Sequence, residues 1–428
     1  MTMLEILLPV LIILIGLSLL KCPIYISILC SAIYLQIFVN HMSLTNVFTG
    51  FFEAMTKNAL LAVPFFMVAG SLIAASSLGT RLINVCIETL KSIRGGLPIA
   101  CVIANAIFGA ISGSGPAATA TFGKIVHKPL SERHGESMSL GIITSSACLS
   151  TIIPPSITMI IYGVATETSI TKLFLAGILP GILIVVIVSV YLIIMCKPRP
   201  GVEKEKFSAR AFGKALWKGL PVLVLPVLVL GSVYTGICTP TESGALAAAY
   251  SFIVAVFGTR DIKFKQLLPI FKDAGRTTAQ VFLLIAGSTV FSQAATIAQL
   301  PAAVTEAFGG MGQIQFLLML NVLLLIVGCF FDTSAAILIL APMLLPTATA
   351  LGIPSLHLGM VFVVNLAIGL FTPPFGLNIF VAQSVLKRPM GQISKACVPY
   401  IILYIVSVLI ITYVPALSTA LPALLMGA

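Results

Sequence analysis

The chain has 428 residues, of which 59% are hydrophobic and only 9% charged, against about 25% charged in soluble proteins. That excludes a soluble globular protein and points to a polytopic membrane bundle. The net charge of +11 does not mark a nucleic-acid binder, because the basic residues sit in loops between apolar runs, where positive-inside bias accounts for them.

The N-terminus is apolar from Met3, with Glu5 and no basic stretch before it, so a first span is expected rather than a cleaved signal. Segments 3–20 and 24–39 read as two spans parted by Lys21, Cys22 and Pro23. Residues 40–57 are amphipathic enough to lie at the interface. A span over 58–76 follows, then an arm over 80–95 with Arg81, Lys91 and Arg94 around an apolar face. Residues 97–127 form an apolar pair interrupted at Ser112-Gly113-Ser114-Gly115-Pro116 and closed by Lys124, His127 and Lys128. Each arm around that break is short for a crossing, which needs about 20 residues. Non-helical backbone at membrane depth is tolerated only where protein or a water-filled cavity satisfies it. Segment 137–166 is a span broken at Thr151-Ile152-Ile153-Pro154-Pro155, and 173–195 is unbroken.

A charged linker, 196–218, carries Lys197, Arg199, Lys204, Lys206, Arg210, Lys214 and Lys218 against Glu203 and Glu205. Spans 217–236 and 240–257 come next, then a basic amphipathic stretch at 260–276, a span at 276–293 and an arm near 294–312. A second interrupted pair, 313–350, centres on Asp332-Thr333-Ser334, and 357–386 is broken at Thr372-Pro373-Pro374. Span 397–415 is the last. The nine cysteines are scattered without a CxxC and read as small buried apolar residues. The four histidines fall in loops or at boundaries and read as solvated.

The two halves repeat. A shift of 219 residues lays Gly109 on Gly328, Ser114 on Thr333, Ala117 on Ala336, Ser146 on Asn365 and Pro154-Pro155 on Pro373-Pro374. Upstream, Ala69-Gly70-Ser71 matches Ala286-Gly287-Ser288 at a shift of 217. Interrupted segments at corresponding positions of two halves point to a transporter's binding site. With the basic loops placed inside, both termini lie outside, ten segments cross fully, and the two interrupted pairs enter from opposite sides. Five crossings per half make the repeats inverted.

Each break leaves carbonyls at the end of one arm and N–H groups at the start of the next. The first suit a small hard cation, and the second, with their partial positive charge, suit an anion. The Pro-Pro breaks free further carbonyls. Ser112, Ser114, Thr333 and Ser334 add hydroxyls, and Asn365 and Asn378 add amides. Small residues such as Ser71, Ser145 and Ser146 read equally as close helix packing, and Asn365 as an interhelical hydrogen bond. Asp332, an acidic residue inside an apolar pair, is a functional candidate by default. Glu242 reads as a helix cap.

Gly-Ser-Gly-Pro-Ala at 113–117, Ile-Ile-Pro-Pro-Ser at 152–156, Thr-Pro-Thr-Glu at 239–242, Asp332 with its Thr-Ser-Ala-Ala, and 365–378 resemble the large membrane subunit of tripartite ATP-independent periplasmic (TRAP) transporters. The resemblance runs over essentially the whole chain and in order. It implies a sodium-coupled secondary transporter of organic acid anions, a multi-pass protein of the bacterial inner membrane. It further implies a small four-helix membrane subunit and a soluble periplasmic protein that delivers the substrate. The family is similar to divalent anion/sodium symporters, whose hairpin tips hold two sodium ions and whose transport domain moves as an elevator. Carried over, one sodium would lie at Ser112, Gly113 and Ser114 with the carbonyls of Thr151 and Ile152. The other would lie at Asp332, Thr333, Ser334 and Ala335, with Gly369 and Thr372. Substrate would meet Ser112, Gly115, Pro116, Ser156, Asn365, Gly376 and Asn378.

The expected architecture is therefore an all-α membrane protein of two inverted five-span halves, each with a re-entrant hairpin and a Pro-Pro-broken helix. Its parts are scaffold helices in 1–57, a span and arm in 58–96, and the first hairpin and broken helix in 97–166. Scaffold and linker follow in 167–260, then an amphipathic stretch, span and arm in 261–312. The second hairpin and broken helix occupy 313–386, and a final scaffold helix 387–428. Segments 97–166 and 313–386 would move, and the unbroken spans 3–39, 173–195, 217–257 and 397–415 would stay. Rivals are a symporter that needs no binding protein and a passive anion channel. An intramembrane enzyme would need a catalytic set that one acidic residue and no membrane histidine do not supply. Sialic acid and C4-dicarboxylates are both served by the family, and the first is the preferred expectation.

Overall fold

The computed structural model describes residues 3–20, 22–196, 207–308 and 310–427, and every regular element among them is helical. Lys197, Arg199, Glu203, Lys204, Glu205 and Lys206 of the linker lie outside the described residues. The first half opens with α1 (Met3–Leu19) and α2 (Ile24–Tyr34), the latter widening into a π turn at Leu35–Val39. α3 (Leu44–Met55) and α4 (Ala62–Ala74) follow, then the arm α5 (Leu78–Leu90). The first interrupted pair is α6 (Gly96–Ser112) and α7 (Gly115–His134). The broken span is α8 (Glu136–Ser146), a short α9 (Leu149–Ile152) and α10 (Ile157–Thr166), and α11 (Ile170–Met195) closes the half.

The second half repeats this order. α12 (Ala209–Tyr234) and α13 (Pro240–Ile253) lead, and a π turn at Val254–Gly258 sits 219 residues after its counterpart. α13 starts as the sequence suggests: Pro240 occupies the first turn, Glu242 N–H donates to Thr239 Oγ1 (3.3 Å), and Thr239 N–H donates to the Glu242 carboxylate (2.8 Å). That is a capping box, so Glu242 acts as a cap. α14 (Phe264–Ile297) and the short arm α15 (Leu300–Ala307) come next. The second pair is α16 (Gln313–Phe330) and α17 (Thr333–Ala350), and the second broken span is α18 (Ser355–Gly369) and α19 (Leu377–Leu386). α20 (Met390–Tyr413) and α21 (Ala416–Met426) end the chain.

The halves interlock with exchanged roles. α4 packs on α13 while α14, its equivalent, packs on α2. α10 lies on α17 as α19 lies on α7, and α8 lies on α20 as α18 lies on α11. Backbone approach repeats too: a Cβ on Gly109 would sit 2.3 Å from Ser150 Cα, and one on Gly369, equivalent to Ser150, would sit 2.2 Å from the Gly328 carbonyl. Small residues allow this contact between hairpin arm and broken helix. Each half also fastens it with a buried amide. Asn105 Nδ2 donates to Ser146 Oγ (2.9 Å), and Asn365 Nδ2 donates to Asn321 Oδ1 (2.7 Å). Both Pro-Pro bonds are cis.

Several expectations change. From Phe264 the expected amphipathic stretch and the span 276–293 form one continuous helix of 34 residues, which runs through Pro269 and carries Lys265, Lys272 and Arg276 on its way out of the apolar zone. α7 continues to His134, and α21 is a helix that the sequence reading did not separate from the last span. Among the described residues seven helices are long and apolar enough to cross a bilayer, or up to nine if each of two bent pairs is one span, against ten expected crossings. The shortfall has a plain cause: α2, α18 and α19 have only 11, 15 and 10 residues, while α16 and α17, expected to be re-entrant, reach 18 each. His357 is not solvated. It is fully buried in α18, with Nε2 3.1 Å from the Thr412 carbonyl and Nδ1 3.3 Å from Ser418 Oγ. α11 and α20 pack on the hairpins and broken helices.

Candidate functional site

The two hairpin tips and the N-terminal ends of α10 and α19 face one cavity of about 390 Å³. At the first tip, α6 ends in Gly113 at φ +59°, a left-handed conformation that glycine adopts without strain. Ser114 then caps α7, its Oγ accepting from Ala117 N–H (3.4 Å). At the second tip, Asp332 caps α17, its Oδ2 accepting from Ser334 N–H (2.9 Å). α2, α4 and α14 complete the wall with Tyr25, Met67, Thr277 and Gln280. Among the described residues no Lys, Arg or His lines it, and Asp332 is its one carboxylate. Helix N-termini therefore carry what positive potential the cavity has.

Of the expected site residues, Gly113, Ser114, Gly115, Pro116, Thr151, Asp332, Thr333, Ser334 and Ala335 line this cavity. Ser112 lies on the wall of a second, larger one of about 640 Å³, which shares Met67, Ser114 and Thr277 with the first and carries Lys124 and Asp273. The others lie off both. The Thr151 carbonyl accepts from the hydroxyls of Ser156 and Thr158, so both its lone pairs are engaged. The Ile152 carbonyl faces Gly177 of α11, where a Cβ would stand 2.9 Å away. Gly369 is packed against Gly328, and a Cβ on Gly376 would meet the Leu370 carbonyl at 2.7 Å. Thr372 donates its hydroxyl back to the Ile368 carbonyl (2.7 Å). Asn365 sits in the buried network with Asn321, which also accepts from Thr412 Oγ1 (3.2 Å). Asn378 is fully buried just behind the first tip: its Nδ2 donates to the Thr144 carbonyl (3.2 Å), and a Cβ on Gly115 would lie 3.0 Å from its Oδ1.

Sequence reasoning missed Thr158, Thr277 and Gln280. For the last two the signal was a pair of polar residues, three apart, facing one way in an otherwise apolar run. At the basic end of the bundle the halves are also tied by Asp261, which accepts from Ser77 Oγ (2.6 Å) and Ser77 N–H (3.0 Å). Burial works against ionisation of this carboxyl, but the hydrogen bonds from Ser77 and Thr259 and the nearby Arg81 outweigh it and hold its pKa below the usual range.

Comparison with known proteins agrees with this architecture. The family described as "Tripartite ATP-independent periplasmic transporter, DctM component" matches residues 11–417. The C4-dicarboxylate TRAP transporter large permease protein DctM of Pseudomonas aeruginosa is 40% identical over 383 residues, covering 87% of this chain and 88% of that protein. The sialic acid TRAP transporter large permease protein SiaM of Vibrio cholerae is 29% identical over 415 residues, covering 96% and 97%. Among solved structures, the Alcanivorax borkumensis YdaH transporter superposes with a TM-score of 0.56 at 16% identity, covering 86% of each chain, which is a likeness of fold. The family is one of transport permeases rather than enzymes, and this multi-pass membrane chain belongs to it, as a TRAP transporter large membrane subunit.

Proposed function

We propose that the chain carries an organic acid anion into the cell across the bacterial inner membrane, driven by sodium. A small four-helix membrane subunit and a periplasmic binding protein that delivers the substrate complete the system. The observation that carries this reading is the cavity between the hairpin tips, which helix N-termini and hydroxyls make polar and which has no basic side chain among the described residues. A carboxylate there is held by the N–H groups opening α7 and α17. Two such ends suit a molecule with a carboxylate at each end, and the 40% identity to a C4-dicarboxylate permease favours that class over sialic acid. Sodium would bind at the tips, through Ser114 and the carbonyls around Gly113 on one side and through the second oxygen of Asp332 with Thr333 on the other.

The reciprocal packing of the halves supports an inverted repeat that changes access by exchanging the conformations of its two parts. The moving body in this reading is larger than the sequence suggested: α6–α11 with α16–α21. The static frame is α1–α4 and α12–α14, with α5 and α15 as arms. Uptake of a C4-dicarboxylate into proteoliposomes holding both membrane subunits and the binding protein should vanish when potassium replaces sodium outside. Uptake that is unchanged would overturn sodium coupling, and uptake that needs neither gradient nor binding protein would favour a channel.

A further inference from the structure

The arm α5 and the frame helix α12 meet at a pocket of about 300 Å³ that plays no part in the site above. Arg81 and Glu88 reach it from α5, and Lys214 and Lys218 from α12. Glu88 is already neutralised by Lys91 at 2.6 Å. Among the described residues, neither lysine has an acidic partner. Arg81 is held in place, its Nε donating to Ser77 Oγ (2.9 Å). The helices press together beside the pocket, where a Cβ on Gly219 would stand 2.4 Å from Val85 Cγ2. Two lysines without an acidic partner, with Arg81 whose charge also faces Asp261, therefore share one concavity, and no unneutralised anion lies on its wall among the described residues.

Its depth is marked independently. Trp217, the chain's one tryptophan, is 78% exposed on the same turn of α12 as Lys214 and Lys218. Exposed tryptophan beside lysine on a membrane helix belongs at the level of the headgroups. Below the pocket α12 buries Val222, Leu225 and Val229, while its exposed Leu220 and Val227 lie on the side that carries Trp217. Basic pockets between helices at this level bind anionic lipid headgroups. We propose that this pocket binds the phosphate headgroup of an anionic phospholipid, whose acyl chains reach the bilayer on the Trp217 side, and that the lipid braces the arm α5 against the frame.

Trp217 supplies the test. The full chain is reconstituted in vesicles of phosphatidylcholine with a minor fraction of phosphatidylglycerol, and either lipid is supplied in brominated form to quench tryptophan. Brominated phosphatidylglycerol should quench several-fold more strongly per mole than brominated phosphatidylcholine. Lys214→Gln with Lys218→Gln should abolish that preference and bring the two lipids to equal quenching, since each lysine near the surface is worth about five-fold, or about 1 kcal/mol. Lys214→Arg with Lys218→Arg should keep it. Equal quenching of the unaltered protein by the two lipids overturns the proposal, and this arm needs no variant to fold. An undiminished preference in the glutamine variant does so too. Loss of the preference on adding inorganic phosphate, at an ionic strength matched with chloride, would show a free-anion site and reject the lipid. Loss on adding the small membrane subunit would show a protein contact and reject it equally.

Discussion

The two hairpin tips occupy equivalent places and are built differently. The first turns through a left-handed glycine, Gly113, and is capped by a neutral hydroxyl. The second has no glycine: Phe331 is extended, and Asp332, equivalent to Gly113, caps the helix with a carboxylate. The first tip is thus free of net charge and leans on Asn378 from the other half, whereas the second brings the cavity's one fixed negative charge. Duplicated frameworks diverge where they touch their ligand and stay alike where they touch each other. The glycine contacts behind the tips keep their places in both halves and each half has an amide bond beside them, shifted by about one turn on the hairpin arm, while the chemistry at the tips differs.

The largest effect should come from breaking what the halves share. Gly109→Val and Gly369→Val each drive a side chain into backbone, and overpacking of this kind costs about 1–3 kcal/mol or more. Both should lose most of their folded yield by fluorescence-detected size exclusion. Gly231→Val, with open space around it, should keep its yield. Gly328→Ala, whose Cβ has 3.4 Å to its nearest neighbour, should also be tolerated. Equal yields from all four would show that the close approach is not needed for folding.

Next in size is the difference in charge. Asp332→Asn removes the carboxylate but leaves an acceptor for Ser334 N–H, and should raise the half-saturating sodium concentration for transport about ten-fold, corresponding to about 1.4 kcal/mol. Ser114→Ala, at the neutral tip, should raise it by less and cost about 1 kcal/mol of stability through its lost cap. Reversal of that order, measured as sodium activation of uptake, would place the stronger cation site at the first tip.

The smallest effect concerns the buried amides. Ser146→Ala deletes one partner of Asn105, and Asn365→Ala leaves Asn321 with only Thr412. Asn105 keeps the Cys101 carbonyl and Asn321 keeps Thr412, so each should cost only about 0.5–1 kcal/mol, read as a lower midpoint in thermal unfolding, while sodium activation of the folded fraction stays unaltered. A changed activation curve in Asn365→Ala would return that residue to the binding site, where its sequence context had suggested it.

Glycine and proline made much of this legible. Breaks at Gly113 and Pro154 need residue types that stand out in an apolar chain, so hairpins, broken spans and the shift between halves could be read directly. The tip residues of the cavity followed from them. Carbonyl direction did not: nothing in the composition of 151–156 says that Ser156 and Thr158 cap the Thr151 carbonyl, or that Ile152 faces away. Thr277 and Gln280 were hidden by belonging to a helix without a break. His357 looked like a boundary residue because its partners, Thr412 and Ser418, are supplied by helices more than fifty residues later. Asn365 and Asn378 were expected to offer amides to substrate, with an interhelical bond as the other reading of Asn365; both side chains instead bond to protein groups behind the cavity.

α14 has a consequence for the membrane itself. At 34 residues it is about 51 Å long at 1.5 Å per residue, while the hydrocarbon core is about 30 Å thick. Its charged first turns, with Lys265, Lys272 and Asp273, project beyond that core, and Thr277 and Gln280 lie just inside the boundary. A helix of this length answers a change in bilayer thickness by changing its tilt. Since the same helix forms one wall of the cavity, hydrophobic mismatch at α14 alters the distance between that wall and the hairpin tips, and the thickness of the surrounding lipid becomes part of the geometry of the binding site.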